Sequence, residues 1–206
     1  MKTDKILKML LTTALMAFLG VMHADAAKVR QQVCGRIHLK SGKVIEVADS
    51  KRIGTPAKKH SRLVIIENAF MKAAKDGDTF EGAEVDSVNI WQRTRTDRVR
   101  TLLYEPDYGW CWKLEGAGAL TLCVFSDDGY FLAGNGGMSA RGKSIYLVKK
   151  DGKIYEFDKG DKMADDAFRR QIAAFVADDQ VLSRMILESR LTRIKTLRML
   201  GSYVPQ

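Results

Sequence analysis

Residues 99–157 constrain the fold most, because short runs of strand formers alternate there with turns of recognisable chemistry. Leu102-Leu103-Tyr104, Trp110-Cys111-Trp112, Leu120 through Phe125 and Ile145 through Val148 are rich in residues that pack well on a pleated surface. Between the first two, Glu105-Pro106-Asp107-Tyr108-Gly109 places proline where a type I turn wants φ near about −65°. Gly116-Ala117-Gly118, Asp127-Asp128-Gly129 and Asp151-Gly152 mark three more reversals. The pattern predicts a meander of antiparallel hairpins, sandwich- or barrel-like. It is a scaffold signal and carries no chemistry.

The central hairpin can be read to the residue. With its turn centred on Ala117, Leu114 faces Leu120, Trp112 faces Leu122 and Trp110 faces Val124, so one face is wholly apolar. Side chains alternate along a strand, so Cys111, Lys113, Thr121, Cys123 and Phe125 take the other face. This register sets Cys111 directly opposite Cys123, with Cβ atoms ~4.5–5.5 Å apart, near the reach of a disulfide. A slip by one residue would mix the two faces, and burial opposes it. The expectation is a Cys111–Cys123 bridge with Cys34 left over; the competing reading is three reduced cysteines acting as small hydrophobes.

The N-terminus bears on compartment. Lys2, Lys5 and Lys8 precede an apolar run from Met9 to Met22, and Ala24-Asp25-Ala26 follows. These are the parts of a secretory signal peptide over residues 1–26, with cleavage after Ala26. The run is short for a retained membrane anchor, the alternative reading. Cleavage leaves about 180 residues, enough to bury a core as one domain. The formal charge is +9; the removed segment carries three lysines against Asp4 and Asp25, so about +8 remains. The basic residues are spread along the chain, which serves solubility as well as it serves a polyanionic partner.

Residues 35–47 read as a first hairpin, with Ile37 kept against Ile45 by Gly42 in a G1 bulge. Residues 48–61 read as a polar, basic loop around Gly54 and Pro56. Arg62 through Ile66 is a buried strand, and Val85 through Trp91 another. Counting an EF-hand from Asp76 puts Glu81 where glycine belongs and Ser87 where glutamate belongs, so that motif fails. Arg93, Arg95, Arg98 and Arg100 read as alternating charges on an exposed strand or turn. Neither His38 nor His60 has the cysteine spacing of a zinc site.

The most suggestive loop is Gly134-Asn135-Gly136-Gly137 with Ser139, Arg141, Gly142 and Lys143. Glycine-rich backbone beside basic side chains can cradle an anion, which makes Gly136, Gly137, Ser139, Arg141 and Lys143 a candidate anion-binding loop. The spacing is not that of a P-loop, and a long hairpin loop explains it equally.

After Asp158 the apolar period changes from two to near 3.6. Asp161 is a candidate cap for a first helix with Phe168, Ile172, Phe175 and Val176 on one face. Asp178 or Asp179 caps a second with Leu182, Met185 and Ile186. Ile194, Leu197, Leu200, Gly201 and Val204 suggest a third. The tail is basic and could lie on acidic lipid, but its apolar stripes point to docking on the sheet.

The expected fold is therefore α+β: a mainly antiparallel β domain over residues 27–160 and a C-terminal helical tail over residues 161–206 packed on it. No G-x-S-x-G, H-E-x-x-H or motif-supported Cys–His pair is present. The layout, with its tail around Phe175-Val176-Ala177-Asp178-Asp179, is similar to that of exported proteins of Gram-negative bacteria. It implies a periplasmic or secreted protein. The leading expectation is a non-enzymatic binding or structural module of the cell envelope, its partner another envelope protein or a polyanionic glycan. A hydrolase with an unadvertised site and a polyanion binder are the alternatives. No cofactor, nucleic acid or transmembrane segment after cleavage is implied.

Overall fold

The computed structural model describes residues 29–47, 50–67, 69, 75–114, 120–157 and 164–204. The signal-peptide segment, the Gly116–Gly118 reversal and Asp161 lie outside them. Its first strands are β1 (Val29–Leu39), β2 (Val44–Val47), β3 (Arg52–Pro56), β4 (Leu63–Glu67) and β5 (Lys75–Phe80). A longer meander follows: β6 (Val85–Gln92), β7 (Arg95–Glu105), β8 (Gly109–Lys113), β9 (Thr121–Ser126), β12 (Ser144–Lys150) and β13 (Lys153–Phe157), with β10 (Tyr130–Leu132) and β11 (Met138–Ala140) as a separate hairpin between β9 and β12. Three helices close the chain, α1 (Asp165–Phe175), α2 (Gln180–Glu188) and α3 (Arg193–Arg198).

Every strand pairing is antiparallel, in the order β13-β12-β9-β8-β7-β6-β1-β3-β4-β5, with β2 also on β1. The long β1 makes this possible. Its first half pairs with β3, while its second half pairs with β2 and β6. At the changeover stands Gly35, where a Cβ would run into the Ile53 side chain and the Asn89 carbonyl. Only glycine lets the strands approach so closely there.

The two groups of strands face each other across one core. Ile53, Leu63 and Ile65 come from the smaller group; Trp110, Trp112, Leu122 and Val124 come from the larger. The β3–β4 loop holds them together. Lys59 accepts the Trp110 backbone N–H at 3.0 Å, and Ser61 accepts the indole N–H at 2.8 Å. The helices cover the rest. Phe168 packs edge-on against Tyr146 at 5.1 Å, and Phe175 against Tyr155 and Phe157 at 4.9 and 5.6 Å. Phe168, Ile172, Val176, Leu182, Ile186, Leu197 and Leu200 are buried in the same core as the sheet. The expected α+β fold with a docked helical tail is what the chain adopts.

Several local readings hold in detail. Ile37 pairs with Ile45, and Gly42 takes φ 86°. Asp179 caps α2 by accepting the Leu182 N–H at 2.9 Å. Three others need correction. Residues 52–56, read as part of a loop, form β3, buried throughout. Its polar residues misled: Thr55 is satisfied by the Gln31 carbonyl at 3.2 Å, and Pro56 sits at the strand end, where a missing N–H costs little. At the C-terminus Tyr203, not Val204, is buried, because the chain tightens into a 3-10 turn over Met199–Ser202 and the helical period is lost.

The third correction is the register of the β8–β9 hairpin. Trp112 pairs with Val124, Cys111 with Phe125 and Lys113 with Cys123, two residues from the expected register. Trp110, Trp112, Leu114, Leu120, Leu122 and Val124 are all buried, so the apolar face is as read. Burial distinguishes odd from even slips only, since the side-chain period is two.

Candidate functional site

The edge of the larger sheet carries a concavity. Asp151 and Gly152 have φ of 50° and 75°, as in a two-residue type I′ turn, and pair Lys150 with Lys153 directly across it. In such a hairpin alternate residues bond to the partner, so Lys153, Tyr155 and Phe157 face β12 and Ile154 turns its N–H and C=O away from it. β13 is the last strand in the order.

Alongside lies α1, held by Phe175 against the Tyr155 and Phe157 rings. Acidic Asp165 and Asp166 occupy its first turn, where the helix dipole favours them. Strand edge and helix border an open, shallow groove of about 630 Å³, lined by Ile154, Tyr155, Glu156, Phe157, Gln171, Ala174 and Phe175. Tyr155 is 38% exposed and Ala174 and Gln171 are exposed. On the opposite face of the sheet, Tyr108 donates a hydrogen bond to Glu156 and lies against Phe125. Backbone polarity on one wall and apolar rings on the other suit an extended polypeptide.

The candidate anion loop is differently made. Gly136 N–H is taken by the Ala133 carbonyl at 2.8 Å and Gly137 N–H by Asn135 Oδ1 at 2.9 Å. The glycine donors are thus spent inside the loop, and no backbone cradle is formed from them. Ser139 and Arg141 alternate with the inward residues Met138 and Ala140 and so share the outer face with Phe131, over which the Arg141 guanidinium sits at 5.3 Å. Gly136 instead faces inward, and Lys143 lies past Gly142 with its N–H on Asp127.

Cys111 and Cys123 share a second, smaller apolar cluster with Phe125 and Leu147 on the outer sheet face. The two-residue register change makes them diagonal rather than opposed, ~7–8 Å apart in general geometry and outside easy disulfide reach. All three cysteines are free and buried. Burial pushes the Cys123 thiol up to about 12 and raises Cys111 further, so both are neutral thiols, poor as nucleophiles or metal ligands. Thiol counting on denatured, unreduced protein is expected to return three; a count of one would mean that the hairpin distorts to close the bridge.

Other sequence candidates are engaged in local contacts. His38 is 3.3 Å from Asn89 Nδ2, and His60 Nδ1 is 3.0 Å from the Tyr104 hydroxyl. Asp127 accepts the Lys143 N–H, and Asp128 pairs with Lys58 at 3.4 Å. Among the described residues no group of three or more His, Cys, Asp or Glu is placed to hold a metal ion, and no helix is long and apolar enough to cross a membrane. The groove residues were missed as a site in the sequence. An Asp-Gly hairpin followed by a change of period marks a last strand, but not where the next helix lands. Compared with known proteins, the chain matches no family model, no curated protein and no solved structure.

Proposed function

We propose that this protein is an exported, non-enzymatic binding module of the bacterial cell envelope, which holds an extended segment of another envelope protein in the groove between β13 and α1. The single observation that carries the reading is that groove, with the outward N–H and C=O of Ile154 on one side and Tyr155, Ala174 and Phe175 on the other. An incoming strand would bond to the edge and set one apolar side chain on the Phe175 ring. The tripartite N-terminus supports export.

The test uses protein recovered from the cell envelope, carrying a photo-crosslinking residue at Ala174. Mass spectrometry is expected to find the chain beginning near Ala27 and a partner segment captured at position 174. That segment, as a synthetic peptide, should bind the wild-type protein and bind Ile154→Pro about five- to tenfold more weakly, the worth of one backbone hydrogen bond. Proline removes an N–H that β12 does not use, so the sheet should persist. Peptide affinity indifferent to Ile154→Pro would reject strand addition, and an intact Met1 would reject cleavage.

A further inference from the structure

Two basic segments far apart in sequence meet at the β6–β7 hairpin, in the middle of the strand order. Gln92 donates its amide to the Leu132 carbonyl at 2.6 Å, and Gln31 does so at 2.9 Å, so this face of the β6–β7 hairpin lies against the β10–β11 hairpin. Arg95 is directly opposite Gln92, and Arg100 directly opposite the buried Ile90, which places both arginines on that face. Gly136, at the tip of the β10–β11 loop, rests on the stem of Arg98. The Arg98 side chain is still 59% exposed and meets Asp97 at 3.5 Å, an exposed pair of little strength. Arg141 lies at the base of the second hairpin, on its outer face, with its backbone N–H on the Gly129 carbonyl at 3.0 Å.

We propose that this rim, Arg95, Arg98 and Arg100 beside the Gly134–Gly137 loop, binds a linear anionic polysaccharide. Three cations spread along β7 suit a linear polymer, and charge complementarity supplies the attraction. Exposed Ser139 and the Asn135 side-chain amide N–H groups, on the adjoining hairpin, offer partners for sugar hydroxyls. The large apolar side chain exposed at the rim is Phe131, and its ring carries Arg141. Among the described residues that leaves no broad apolar face there to enter a bilayer.

Titration calorimetry of the full chain at low salt tests this, with dextran sulfate as probe and uncharged dextran, charge-matched single-stranded DNA and phosphatidylglycerol vesicles as the other arms. Dextran sulfate is expected to bind and uncharged dextran not to. The double variant Arg95→Gln/Arg98→Gln, which keeps the side-chain stems, should bind about tenfold more weakly and with a shallower salt dependence. Arg184→Gln/Arg190→Gln removes the same charge from the helical tail and should change affinity by less than about twofold. Equal losses in the two double variants would mean diffuse charge and overturn the site. So would no binding of dextran sulfate, or DNA or vesicles bound as tightly as it is.

Discussion

Replacing Phe168 by alanine is expected to lower the unfolding free energy by roughly 3–5 kcal/mol, the range for a fully buried phenylalanine. Its side chain is wholly buried, with the Tyr146 ring 5.1 Å away on the sheet and the Arg193 guanidinium 5.9 Å above it from α3. One ring therefore ties α1 to β12 and to α3. Urea unfolding followed by tryptophan fluorescence and by helical circular dichroism would measure the loss in both parts. Val181→Ala, at a position 71% exposed, serves as the comparison and should stay within about 0.5 kcal/mol. A Phe168→Ala protein as stable as wild type would mean that the tail is an appendage rather than part of the core.

Gly109→Ala should cost roughly 2–5 kcal/mol, from two separable causes. Gly109 has φ 91°, where any L side chain is strained by about 1–2 kcal/mol. In addition a Cβ would overlap the Lys59 carbonyl, forcing apart the β3–β4 loop and the start of β8, an overpacking cost of about 1–3 kcal/mol. Gly152 separates the two. It has φ 75° but open space around its Cα, so Gly152→Ala should show the strain alone. Thermal melts of both variants check this. Equal shifts would remove the close approach of Lys59 from the account of how the two groups of strands are held.

Much of the fold was legible because its signals are local. The Asp151-Gly152 and Gly42 turns need particular backbone angles that few residues supply, and both form as read. The faces of β8 and β9 follow from alternation, and the buried face of α1 from the 3.6 period; in α2 the period places Leu182 and Ile186 inward, while Met185, expected beside them, is exposed. β3 was hidden because Arg52, Gly54, Thr55 and Pro56 look like loop. Their backbone pairs with β1 and β4 and the Thr55 hydroxyl bonds to Gln31, partners that arrive from elsewhere in the chain, and no local rule anticipates that. The anion loop shows the converse. Its glycines look like donors waiting for a ligand, and the loop uses them on itself.

The sequence by itself determined the inward faces of β8, β9 and α1, several of the chain reversals, and that helices follow strands, since periodicity and turn chemistry act within a few residues. Only the tertiary structure decided the register of Cys111 against Cys123, the groove of β13 with α1, and the meeting of Arg98 with Gly136. Each depends on how far one element slides or tilts against another. A slide of two residues leaves every side chain on its own face, so burial does not resist it. Loop length and the packing of distant surfaces choose among such placements.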